Sequence, residues 1–223
     1  MAKLEIASFN VNSALIAQEF GADRVELCAG MEVGGTTPSD EDIIQLREKL
    51  TIKLNVMIRP RGGNFVYTDE ELKVMKQDIL RIKSLGVDGL VFGVLHDDNT
   101  IHVAQNTELV RLAAPLPCTF HRAFDDVQDF PKAIEEVISC GFKTILTSGC
   151  ESNVDLGINN LTKLVELANT RIEIMPGGGL RSTNIGRILN QTKATYYHSS
   201  AITDGGDTPV GVEVLALKSA LEE

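Results

Sequence analysis

Short runs of apolar or β-branched residues recur along the chain. Nearly every gap between them is a longer stretch whose apolar positions return every three or four residues. The short runs predict strands at 4–7, 24–28, 53–59, 89–95, 117–122, 144–147, 172–175 and 195–198, and the intervals predict helices at 12–20, 39–50, 69–85, 107–113, 130–140, 161–169, 182–190 and 213–221. Ser39 precedes Asp40, Glu41 and Asp42, and Thr68 precedes Asp69, Glu70 and Glu71. Carboxylates belong there, against the free backbone N–H groups of a helix N-terminus. Gly21, Gly86 and Gly141 each stand between a helix and the next strand, where a left-handed cap suits glycine. Eight such βα units predict a closed (β/α)8 TIM barrel, because parallel strands need helical crossovers and closure removes both sheet edges. The alternative, an open doubly wound sheet, lacks the glycine fingerprint it needs in the first strand-to-helix turn.

Within a strand, residues two apart share a face. In the third strand Asn55, Met57 and Arg59 therefore oppose Leu54, Val56 and Ile58, and in the fifth Thr119 and His121 oppose Cys118 and Phe120. The same parity puts Glu5 with Ala7, and Glu26 with Arg24 and Cys28. The apolar set faces the helices, so the lumen holds carboxylate, guanidinium, amide and imidazole groups. A carboxylate in such a place needs a partner, and Arg59 is the expected one for Glu5 and Glu26.

Composition agrees with one domain over 1–223. The chain is 43% apolar, and its 19 glycines and 7 prolines are scattered as turn punctuation. A net charge of −10 argues against nucleic acid or an anionic membrane as partner. No apolar run reaches the roughly 20 residues of a membrane span, and the N-terminus lacks a signal-peptide core. Cys28, Cys118, Cys140 and Cys150 show no C-x-x-C spacing, which suits free thiols in the cytoplasm.

Active sites of this fold lie at the C-terminal ends of the strands, and candidate chemistry concentrates there. His121 is the expected general acid or base, oriented by Asp125 or a nearby glutamate, with Glu26 as a second proton carrier. Arg59 and Arg61, in a loop with Gly62 and Gly63, can present forked donors to a carboxylate or phosphate. Gly177, Gly178 and Gly179 lead through Arg181 to the predicted helix start. With Ser148, His198 and Ser199 at the neighbouring strand ends, they form an expected anion site.

Taken in order, Arg24-Val25-Glu26-Leu27-Cys28, Gly34-Gly35-Thr36-Thr37-Pro38, Arg59-Pro60-Arg61-Gly62-Gly63, His121-Arg122-Ala123-Phe124-Asp125, Thr147-Ser148-Gly149 and His198-Ser199-Ser200 resemble the copper homeostasis protein CutC family over essentially the whole chain. The resemblance implies a cytosolic barrel, often a homo-oligomer, linked to copper tolerance or Cu(I) binding, with Cys28 as the candidate metal ligand. Members whose first strand ends in cysteine could pair two thiolates; this chain has Ala7 there. Two functions stay open: a copper-handling protein, and an enzyme acting by acid–base chemistry on a small anionic sugar, carbonyl or phosphate-bearing substrate.

Overall fold

The parity of the strands sorts side chains between two apolar environments, and the computed structural model, which describes residues 2–222, shows both. The chain alternates β1 (Lys3–Ser8), α1 (Val11–Glu19), β2 (Arg24–Leu27), α2 (Asp40–Lys49), β3 (Lys53–Met57), α3 (Asp69–Ser84), β4 (Gly89–Phe92), α4 (Val103–Ala113), β5 (Cys118–Phe120), α5 (Phe130–Cys140), β6 (Thr144–Thr147), α6 (Ile158–Ala168), β7 (Glu173–Pro176), α7 (Ile185–Thr192), β8 (Tyr196–Ser199) and α8 (Gly211–Ala220). Strands β1 to β7 pair in parallel in sequence order, and β1 also pairs with β8. A parallel bridge between Gly177 and His198 closes the last seam, giving a (β/α)8 barrel.

The main core lies between strands and helices. Leu54, Val56 and Ile58 are fully buried there, as is Phe120, with Cys118 beside it. Inside the barrel, Cys28, Met57 and Val91 form a separate apolar cluster with Phe9 against it. The expected caps are present: Ser39 accepts from the Asp42 N–H, and Thr68 and Glu71 form a reciprocal capping box.

Several boundaries differ from expectation: β3 ends at Met57 instead of 59, β5 at Phe120 instead of 122, and α4 and α6 begin at Val103 and Ile158 instead of 107 and 161. Two more have identifiable reasons. Strand β4 ends at Phe92 instead of 95, because the Asn106 side chain of α4 takes both the N–H and the carbonyl of Val94. Helix α7 begins at Ile185 instead of 182, because Asn184 Oδ1 accepts the Arg181 N–H and holds 181–184 as a turn.

Candidate functional site

Register, more than parity, builds the site. Glu5 stands beside Arg24 on one neighbouring strand and beside His198 on the other, while Glu26 stands between Ala7 and Asn55. The partner of Glu5 is Arg24, not Arg59: Arg24 Nε donates to Glu5 Oε2 in a buried ion pair. Asn55 Nδ2 donates to the same oxygen at 3.2 Å, and His198 Nδ1 donates to Glu5 Oε1 at 2.8 Å. Burial alone would raise the Glu5 carboxyl, but the Arg24 guanidinium and the His198 hydrogen bond outweigh it and hold the group down at about 2. Arg24 is stacked 4.1 Å from the centre of the Tyr196 ring, deep in the lumen.

Glu26 is held differently. Its nearest cation is His198 Nε2, 3.7 Å from Oε2, and its Oε1 is buried with no hydrogen-bond partner. Burial raises this carboxyl more than the His198 charge lowers it, leaving it at about 7. His198, clamped between two carboxylates, is itself raised: burial opposes its charge, and the Glu5 hydrogen bond and Glu26 charge prevail. A histidine bridging one ionised and one near-neutral carboxyl is a proton-sharing arrangement.

These groups open into a cavity of about 110 Å³ at the C-terminal end of the strands, lined by Glu26, Cys28, Arg59, His121, Arg122 and His198 among others. His121 is buried, and its Nδ1 accepts the Ala123 N–H at 3.2 Å. The ring proton is therefore assigned to Nε2, which is buried and without a partner. Burial, reinforced by the Arg59 charge, depresses this imidazole to about 3. Burial and the Arg59 charge thus favour the neutral ring, in which His121 offers Nε2–H as a hydrogen-bond donor. Phe65 packs on it at 4.7 Å between centroids.

Asp125 does not orient His121. Four residues along the chain, the 3₁₀ turn 122–126 carries it to the loop after β6. There it accepts from the Ser148 and Cys150 N–H groups at 2.9 and 3.2 Å and from Arg122 Nε at 2.7 Å. It holds a loop and aims Arg122, whose guanidinium lies over Gly178, where a Cβ would come within 3.0 Å.

Arg59 reaches the cavity but spends its terminal nitrogens on the carbonyls of Val33, Gly35 and Gly63 at 2.7–2.8 Å, leaving only Nε unpartnered. Arg61 is turned away and paired with Glu71. Ser148 Oγ is bound between Arg122 and the Glu151 carbonyl, and Ser199 Oγ donates to Leu180 O. Arg181 donates to Leu180 O, Ser199 Oγ, Ser200 Oγ and Ile202 O. Gly177 is the smallest residue that fits between Leu146 and His198. The side chains of Ser148, Ser199 and Arg181 are thus engaged within the protein, Arg122 lies over Gly178, and the glycine run feeds no helix directly. Sequence reasoning missed Arg122 as a lining residue and Arg24 as the Glu5 partner; parity had already placed Arg24 in the lumen, which is the signal that could have found it.

Cys28 lies beside the cavity, but burial and then the Glu26 charge push its thiol well up, against the thiolate that a soft metal prefers. Ala7 offers no donor, Cys150 Sγ lies 3.4 Å from the Phe124 carbonyl, and Cys118 and Cys140 are buried under the helices. Among the described residues this donor set, one thiol beside the Met57 thioether, does not fit a two-thiolate Cu(I) centre. Glu5, Glu26 and His198 bring one ligand atom each within 4.8 Å of one another. Glu5, however, is already saturated by Arg24, Asn55 and His198, and the adjacent guanidinium opposes a second cation.

The CutC family profile matches residues 2–203. A human copper homeostasis protein cutC homolog is 46% identical over 198 residues, covering 89% of this chain and 72% of its own length. A CutC family protein from Bacteroides fragilis is 46% identical over 88% of this chain and 79% of its own. The crystal structure of a CutC copper homeostasis protein from Streptococcus agalactiae superposes with a TM-score of 0.86 at 39% identity, covering 91% of this chain and all of that one. Phosphoribosylanthranilate isomerase from Thermotoga maritima, at 15% identity and TM-score 0.67, shares the fold.

Proposed function

The chain belongs to the CutC family, and we propose that its barrel mouth is an acid–base site that moves a proton on a carbon next to a carbonyl in a small oxygen-rich substrate. One observation carries this reading: the buried Glu26 carboxyl, held at about 7 with Oε1 free of any partner. A proton carrier works best when its pKa lies near the ambient pH. Ionised Glu26 would take the proton from carbon. The C–H electron pair would move onto the carbonyl oxygen, which would accept a hydrogen bond from the otherwise unpartnered His121 Nε2–H. A neutral imidazole is a better partner for an enolate than an imidazolium that would surrender its proton, a logic known from other barrel isomerases. His198, charged between the two glutamates, would stabilise ionised Glu26, and Glu5 with Arg24 would fix His198. The cavity of about 110 Å³, against the roughly 150 Å³ of an engineered cavity that holds benzene, suits a compact molecule of a few carbons. We place this chemistry in the cytoplasm, where the four free thiols would stay reduced.

The test is deuterium exchange into dihydroxyacetone, glycolaldehyde and pyruvate, followed by proton NMR across pH 5–9. Exchange above the buffer rate is expected with a rising limb near pH 7, and Glu26→Gln abolishes it. Exchange that is unchanged in Glu26→Gln, or no exchange with any of the three, sinks the reading.

A second reading, copper handling, is favoured by Cys28 and Met57 side by side at the cavity. It predicts that anaerobic Cu(I) titration separates the wild type from Cys28→Ala by at least tenfold in affinity. Equal, weak binding by both removes it.

A further inference from the structure

Arg59, Arg122 and His198 line the cavity at the strand ends, and Glu26 is the one carboxylate among its lining residues. The chain as a whole carries a net charge of −10. Cations gathered in a concave site of an acidic protein favour an anionic ligand.

Arg122 is the cation with capacity to spare. Its Nε donates to Asp125 Oδ2 at 2.7 Å and its Nη2 to Ser148 Oγ at 3.1 Å, while Nη1 meets no acceptor among the described residues. The side chain is 44% exposed, so the free edge is open to an incoming molecule. Asp125 is itself anchored by the Ser148 and Cys150 N–H groups, which aims the guanidinium before any ligand arrives. The guanidinium lies over Gly178: a Cβ there would stand 3.0 Å from Cζ and 3.2 Å from both terminal nitrogens, at a φ of +103° that suits glycine. One residue on, the Gly179 N–H has no acceptor among the described residues.

Two further donors wait on the same cavity. Arg59 Nε and His121 Nε2 are buried without a partner. Phe65 joins their side chains into one wall, 4.8 Å from the Arg59 guanidinium and 4.7 Å from the His121 ring. Buried donors without partners call for an acceptor-rich ligand.

We infer that Arg122 grips a substrate carboxylate, and that the substrate class is the short 2-oxo acids, held with the acid end on Arg122 and the carbonyl toward His121 and Glu26. This rests on the reading that the mouth binds a small carbonyl compound, and it deepens that reading by naming the class. A cavity of about 110 Å³ leaves little length between the two ends. A carboxylate has one charge and two oxygens in a plane, which a guanidinium edge and a neighbouring N–H can satisfy. A phosphate group brings more charge and three acceptor oxygens. The terminal nitrogens of Arg59, Arg61 and Arg181 are all engaged within the protein, so Arg122 alone of these four arginines keeps one free.

The experiment reads binding without turnover, so its failure is distinguishable from failure of the acid–base reading, which the Glu26 exchange assay tests. Ligand-observed NMR titrations are run with pyruvate, hydroxypyruvate and 2-oxobutyrate, each beside its neutral primary amide, and with inorganic phosphate, all against chloride at equal ionic strength. The wild type should bind at least one acid about tenfold more tightly than the matching amide. Arg122→Met should lose about that factor for the acid and leave the amide affinity unchanged. Arg122→Gln takes its place should the methionine variant fail to fold. The proposal is overturned if no acid binds, if acid and amide bind the wild type equally, or if a folded Arg122 variant keeps its affinity for the acid. Loss of acid and amide together, which marks a structural role for Arg122, overturns it as well, as does phosphate binding more tightly than every acid.

Discussion

A carboxyl that keeps its proton until about pH 7 inside a folded protein weakens that fold at neutral pH. Glu26 is raised from 4.5 to about 7, so between those values the folded state binds more protons than the unfolded one, and stability falls as pH rises. The full deficit, present above pH 7, is on the order of 3 kcal/mol for a shift of this size. Replacing Glu26 by Gln should therefore leave stability near pH 4 unchanged and raise it at pH 8 by about 1–3 kcal/mol, read from urea unfolding at the two pH values. A loss of stability at pH 8 would mean that Glu26 is ionised and paired, removing the basis for its role. Arg24 behaves in the opposite sense. Arg24→Met leaves Glu5 charged and buried, and should cost about 3–5 kcal/mol. Arg61→Met, which breaks the half-exposed pair with Glu71, should cost no more than about 1 kcal/mol.

At the scale of strands and helices, much was legible in the sequence. Alternation in β3 and β5 correctly separated Asn55 and His121 from the apolar set, and the caps at Ser39 and Thr68 were readable from their acidic followers. What was not legible is which inward residues meet. That depends on the offset between neighbouring strands, so the pairing of Glu5 with Arg24 and His198 is a property of register. Loops hid the rest. Asp125 is four residues from His121 yet serves the β6 loop, and Arg61 is two residues from Arg59 yet folds back on α3. Register also explains why β4 begins with glycine. A Cβ on Gly89 would press into the amide oxygen of Asn55 and lie 3.1 Å from Pro117 O. Gly89→Ala should push Asn55 off Glu5 and destabilise by about 1–3 kcal/mol. Combining it with Asn55→Ala should restore part of that loss, as measured by a double-mutant cycle; strict additivity would show that the clash lies elsewhere.

For the whole molecule, the two glutamates act with opposite signs on one pH axis. Glu5, lowered to about 2, contributes stability that is fully present above 4.5 and is lost as pH falls toward 2. Glu26 begins to subtract above 4.5 and subtracts fully above about 7. His198, raised above 6.5, contributes stability present below that value and lost as pH climbs past its folded pKa, so it steepens the same alkaline decline. The net charge of −10 at pH 7 adds self-repulsion on that side. Because His198 touches Glu5 and Glu26 and also forms the Gly177 bridge that closes the barrel, these titrations act on the closing seam. The melting temperature should peak near pH 5 and fall toward both pH 3 and pH 8. Glu26→Gln should flatten the alkaline limb alone, whereas Glu5→Gln should flatten the acidic limb and, by removing the hydrogen bond that raises His198, also soften the alkaline one, with calorimetric scans at half-unit pH steps as the measurement. A wild-type optimum at pH 7–8 would require Glu26 to be ionised throughout, and with it the buried proton at the mouth would disappear.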